Sequence, residues 1–160
     1  LGPRTAQKIL VTMGPQHTLP VKGIRPVASI APGVSASTGL TLRQLAGALV
    51  DTVRPAALIC VDSLCSNEGA RLGRSVQFSD TGLYPAQASH AKHLDAAALG
   101  VPVIAAGIPT LMDSDEGADL VVTPRALDSV IAHGSALLAG AINRALQPRL
   151  SVAQLCWLAG

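Results

Sequence analysis

The sequence predicts an α/β fold, a mainly parallel sheet flanked by helices, on three observations. Two apolar runs, residues 56–61 and 101–108, are continuous rather than alternating, the mark of strands covered on both faces. Amphipathic segments at residues 42–53 and 124–146 stand before and after them. Strands interleaved with such helices form α/β architecture rather than an all-β fold.

Taken in order, residues 1–11 read as a helix, with Pro3 in the first turn and Leu10 and Val11 apolar. Residues 12–39 are rich in Gly, Pro, Ser and Thr and read as loop, broken by a short strand at residues 27–30. Thr41 and Gln44 have the spacing of a capping box, opening a helix that Pro55 ends. The strand at 56–61 stops at Asp62, and a short helix runs to about Leu72. Residues 75–79 form another strand, ending at Asp80, and residues 94–99 a short helix closed by Gly100. After the strand at 101–108 come an acidic loop at 113–119 and a short strand at 120–122. Thr123-Pro124 has the form of a cap and first turn for a long helix to about Leu146. Its apolar stripe is Leu127, Val130, Ile131, Leu137, Leu138, Ala141, Ile142 and Leu146. Ser151 with Gln154 caps a last helix.

Composition narrows the function classes. Apolar residues make up 49% of the 160, and charged residues 14%, which suits one folded domain and not a disordered tail. With Phe78, Tyr84 and Trp157 the only aromatics, the core is aliphatic. A net charge of +2 without a Lys/Arg run leaves no footprint for direct nucleic-acid binding. No apolar stretch reaches the roughly 18 residues of a membrane span. Residues 1–4 lack the form of a signal peptide. Three cysteines, Cys60, Cys65 and Cys156, form no disulfide framework, and the odd number points to a reducing compartment.

In parallel sheets, ligands gather beyond the carboxyl ends of the strands. Asp62 and Asp80 each follow an expected strand and are the candidate catalytic residues. A pair of nearby carboxylates sharing a proton can activate water and protonate a leaving amine, because like charges push one pKa up. The plainer alternatives are a helix cap for Asp62 and a turn for Asp80-Thr81-Gly82. His90, His93 and Asp95 have a spacing that can hold a metal, together with Asp62, although a solvated loop and helix start explains them as well. Cys60 reads as a small buried hydrophobe. Cys65 lies near the crevice without a nucleophile signature, and no phosphate-binding loop is present. His17 and His133 have no local partner, and His133 falls off the apolar stripe, so it is expected at the surface.

A set of short segments resembles the germination protease family. They are Ile30-Ala31-Pro32-Gly33-Val34 with Thr38-Gly39, then Val61-Asp62-Ser63-Leu64, then Val76-Gln77-Phe78-Ser79-Asp80-Thr81-Gly82-Leu83. Further on come Gly100-Val101-Pro102-Val103-Ile104-Ala105, Gly107-Ile108-Pro109-Thr110, Val121-Val122-Thr123-Pro124, and Ala141-Ile142-Asn143-Arg144-Ala145-Leu146 with Pro148. Their order and spacing agree over roughly residues 1–150.

The resemblance implies an endopeptidase that degrades small acid-soluble spore proteins at germination. It also implies an inactive precursor, a homotetramer, a place in the spore core cytoplasm, and a fold similar to hydrogenase maturation endopeptidases. Two aspartates carry the family's mechanism, without a cofactor. One corresponds to Asp62. The other precedes a Leu-Gly-Pro segment that Leu1-Gly2-Pro3 resembles, so residues 1–160 read as a single α/β domain whose first strand and second acid lie ahead of Leu1. Two segments depart from the family pattern: residues 85–91 replace a Gly-rich stretch, and Asn67-Glu68 stands in place of Arg-Ser. These departures leave room for a non-catalytic binding or assembly module. A metal-dependent maturation peptidase using Asp62 with His90 or His93 is a further alternative.

Overall fold

A computed structural model describes residues 1–14, 22–33, 38–83, 93–113 and 121–159. The elements are α1 (Gly2–Ala6), α2 (Leu42–Val53), β1 (Leu58–Cys65), β2 (Gln77–Ser79), α3 (Ala96–Leu99), β3 (Val103–Asp113), β4 (Val121–Val122), α4 (Leu127–Leu146) and α5 (Val152–Ala159).

The class is α/β as expected, but the sheet is mixed rather than mainly parallel. β3 lies between β1, which it pairs in parallel, and β2, which it pairs antiparallel. β4 pairs antiparallel with the far end of β3, Met112 opposite Val122. Continuous apolar runs report covering on both faces, and β1 and β3 are covered. They carry no information on the direction of β2, a three-residue strand whose Phe78 is 64% exposed.

Both long strands run further than their apolar runs. β1 continues past Asp62 to Cys65, so Asp62 lies inside the strand, level with Gly107. β3 passes through Pro109, where the register shifts: Leu64 faces Pro109 but Cys65 faces Leu111. Proline lacks a donor N–H, and a bulge is where a covered strand can accept it. The Pro109 carbonyl accepts from Gly73 N–H at 2.7 Å.

Each face of the sheet carries its own core. Leu58, Cys60, Leu64 and Ala105 pack with Ala46 of α2, Leu83, Leu94 and Leu99. On the other face Val61, Ala106 and Ile108 pack with Leu1 and with Val130 and Leu138 of α4. A third cluster, Leu10, Leu150 and Leu155 with Ile24 and Leu158, seats α5 away from the sheet.

Local signals placed several helices correctly. Thr41 and Gln44 form the reciprocal capping box of α2, and Arg54 ends that helix at φ 50. Gly100 closes α3 at φ 72, where a residue without a Cβ is favoured. Ser151 and Gln154 bond each other's backbone N–H groups at the start of α5.

Elsewhere tertiary contacts displaced the local reading. α1 stops at Ala6 in a turn over residues 7–9, and Asn143 holds the chain there: it accepts from Leu10 N–H at 2.9 Å and donates to the Lys8 carbonyl at 2.9 Å. Residues 27–30 are not a strand. Arg25 pairs instead with the Gln147 amide, and the Val27 carbonyl accepts from Thr12 and Met13. The helix after Asp62 is only a 3₁₀ turn, Gly69–Arg71.

α4 begins at Leu127 rather than Thr123, and its buried stripe is Gly134, Ser135, Leu138, Ala139, Ile142 and Asn143. The expected stripe is rotated, leaving Leu137 62% exposed. Gly134 explains the choice: a methyl there would collide with Ile108, so the helix comes in close through its small residues. The expected acidic loop lies outside the described residues, apart from Asp113 in β3.

Candidate functional site

Asp62 sits on β1, whose residues are all partly buried, beside the more deeply buried β3. Side chains alternate along a strand, and Cys60 and Leu64 flank it in the core that faces α2 and α3. Its carboxyl group is half-buried, and Oδ1 accepts from Ser63 N–H at 2.8 Å. Burial raises its pKa, opposed by the Ser63 N–H and by the positive amino group of Leu1. The same burial, with the Asp62 charge, pushes the Cys60 thiol up to about 11. Cys60 is therefore a neutral packing residue, as read from the sequence.

Leu1 and Gly2 bring the beginning of the chain against this position. A Cβ on Gly2 would lie 2.7 Å from the Val61 carbonyl oxygen, so only glycine allows α1 to rest so close to the edge of β1. Asp62 in turn favours the charged form of the Leu1 amino group, although burial of that group is the larger influence. Across the sheet Gly107 occupies the place level with Asp62. A methyl there would run into the Asp62 carbonyl oxygen and the Leu64 side chain.

Asp80 is not brought to Asp62. β2 runs antiparallel to β3, with Gln77 level with Gly107 and hence with Asp62. Asp80 lies three residues further on, toward the opposite end of β1. Standard spacings put it about 10 Å along the strands and about 10 Å across them. Its side chain is exposed. The expectation of a shared crevice rested on β2 being parallel, and its reversal removes the reason. Asp80-Thr81-Gly82 is a turn: Thr81 N–H donates to Ser79 Oγ at 3.1 Å, and Gly82, at φ 99, fits against the Leu94 carbonyl.

Asp95 is a helix cap. Its Oδ1 accepts from Ala98 N–H at 2.7 Å, and Oδ2 meets His93 Nδ1 at 2.9 Å. The Ala98 N–H, with His93 adding to it, holds the carboxyl below its usual range. Among the described residues no three His, Cys, Asp or Glu side chains converge as metal ligands. His17 and His90 lie outside those residues. His133 is exposed, as expected, with Nδ1 against the Ser129 carbonyl at 2.8 Å.

The contacts that sequence reasoning missed are those of Asn143, Gln147, Leu64 and Gly107. Only the adjacency of Asn143 and Gln147, four residues apart near the end of an expected helix, hinted that both could face one way.

The fold and site define an α/β domain with one half-buried aspartate in a covered strand, beside the amino end of the chain. The chain belongs to the germination protease family, whose family model it matches over residues 1–116. It is 29% identical to a germination protease of Clostridium perfringens (strain SM101), with 94% of this chain and 62% of that protein aligned. It is 36% identical to one from Halalkalibacterium halodurans over 83% of this chain and 36% of that protein. The Clostridium acetobutylicum germination protease is 27% identical over 97% of this chain and 63% of its own length. The chain thus spans between about a third and two thirds of these relatives.

Proposed function

We propose that this chain is part of an endopeptidase of spore germination and that Asp62 is one of two carboxylates that hydrolyse the peptide bond. The observation that carries this reading is the half-buried Asp62 carboxyl, raised in pKa by burial, with the amino end of Leu1 beside it. A residue ahead of Leu1 in a longer chain would arrive next to Asp62 and can supply the second carboxylate. Two acids so placed share one proton. The ionised one takes a proton from water as it attacks the scissile carbonyl, and the protonated one delivers a proton to the leaving amine.

The substrates that fit are the small acid-soluble spore proteins of the germinating spore core, with the enzyme made as a precursor and working as a homotetramer. Family membership supports the peptidase class, and the site supports the aspartate. Substrate, assembly and location follow from the resemblance alone. No helix among the described residues is long and apolar enough to cross a membrane.

The test uses the full-length protein. Asp62→Asn is expected to lower the cleavage rate of small acid-soluble spore proteins by about 10³-fold, within the range for a lost acid–base group, with the circular dichroism spectrum unchanged. Cleavage by Asp62→Asn at near the wild-type rate refutes the assignment. If the wild-type protein cleaves nothing under the same conditions, the binding-module alternative takes its place.

A further inference from the structure

An open cavity of about 400 Å³ adjoins the face of the sheet that carries Asp62, lined there by Leu64, Gln77, Ser79, Leu83 and Ala105 and reached also by Phe78 and Ala106 of the alternate face. That volume lies within the range of ligand pockets, about 300–1,000 Å³. The register fixes its relation to Asp62. Asp62, Gly107 and Gln77 are level across β1, β3 and β2 and share one face. Cys60, Ala105 and Ser79 form the next row on the same face.

Gly107 contributes no side chain to the row, and the Leu64 Cγ stands 2.6 Å from where its Cβ would be. Leu64 thus folds over Gly107 and lines the cavity, whereas Asp62 is not among its lining residues. No charged side chain is among the described residues that line the cavity. Two of its polar groups, Ser79 Oγ and Thr81 Oγ1, already bond each other at 2.7 Å.

We propose that this cavity is a subsite for an uncharged side chain of the polypeptide substrate, and that Leu64 and Gln77 set which side chain it accepts. The inference rests on the endopeptidase reading of Asp62. Two strand spacings, about 10 Å, separate Asp62 from Gln77. An extended chain advances about 3.3–3.6 Å per residue. The subsite therefore receives a residue two or three positions from the scissile bond. A charged side chain there would lose its hydration without a partner, which opposes binding.

The experiment is cleavage of a positional-scanning peptide library by the full-length protein, read by mass spectrometry, for wild type, Asp62→Asn, Gln77→Ala and Leu64→Met. Gln77→Ala trims the cavity from the sheet edge, and Leu64→Met keeps the packed volume should a larger change fail to fold. Wild type is expected to disfavour Asp, Glu, Lys and Arg at that single position by about tenfold or more in kcat/KM, mainly through KM. Both lining variants are expected to shift the preference at that position several-fold and to leave the other positions unchanged.

If Asp62→Asn is inactive but the lining variants alter every position equally, or none, the subsite is refuted while the role of Asp62 stands. If Asp62→Asn remains active, the endopeptidase reading fails, and the subsite with it.

Discussion

Asp62 and the pair Asn143–Gln147 are polar groups withdrawn from water in two different regions, and the fold treats them in opposite ways. The two amides are 4% and 1% exposed, and each makes two hydrogen bonds to the backbone of a passing segment. Asn143 holds residues 8–10 at the end of the turn after α1, and Gln147 pairs with both backbone groups of Arg25 as a neighbouring strand would. Asp62, which carries a charge at neutral pH when ionised, accepts one backbone N–H, from Ser63. Buried polar groups are ordinarily matched, because leaving one unmatched costs about 1–3 kcal/mol. The amide clamp obeys that rule and holds the two segments in place. Asp62 falls outside that rule: it is only half-buried, with one bond from Ser63 N–H, so water can reach it, as a group that must exchange a proton requires.

Three measurements break or sharpen this contrast. The largest effect is expected at the clamp. Asn143→Leu keeps the bulk but leaves the Leu10 N–H and the Lys8 carbonyl without their partner, costing about 2–4 kcal/mol if both stay buried. Chemical denaturation would read this directly, and a loss near zero would show that water or a shifted loop replaces the amide.

A smaller loss is expected from Gly134→Ala, whose methyl would meet the end of the Ile108 side chain, so that either Ile108 turns or α4 shifts. Overpacking of this kind costs about 1–3 kcal/mol. Chemical denaturation would read it, and no loss would show that the Ile108 side chain turns aside.

The smallest effect, and of opposite sign, is expected at Asp62. Its folded pKa is raised, so the protonated form is the one the fold prefers. That contribution is fully present below the ordinary value of 3.8 and is lost as pH rises through the folded value. Asp62→Asn removes the penalty. Its melting temperature should therefore draw ahead of wild type as pH is raised from below 3.8 to neutrality. A gap that closes with rising pH would contradict burial as the dominant influence on this carboxyl.

Much of the molecule was legible in residue order. The capping pairs Thr41–Gln44 and Ser151–Gln154 fixed two helix starts because both partners lie within one turn. Gly100 fixed a helix end for the same reason. The apolar runs located β1 and β3, and Asp62 was singled out by where its run ended. That position proved to be mid-strand, since Ser63, Leu64 and Cys65 continue the ladder without the composition of a buried strand.

Asp80 was singled out by the same rule, which fails once β2 is reversed. The stripe of α4 was read only in part: Leu138 and Ile142 are buried as expected, but Gly134, Ser135 and Asn143 do not look apolar. They face inward for closeness of approach and for hydrogen bonding, which hydropathy does not record.

By itself the sequence determined the α/β class, the caps at Thr41, Gly100 and Ser151 and the two covered strands, because each depends on groups a few residues apart. Tertiary structure alone decided the direction of β2, the face α4 buries, and the separation of Asp80 from Asp62. Those depend on partners tens of residues away or more, such as Gln77 against Gly107, and the loop positions on pairs as distant as Asn143 and Lys8. Only the folded chain brings such partners within the few ångströms over which hydrogen bonds and packing act.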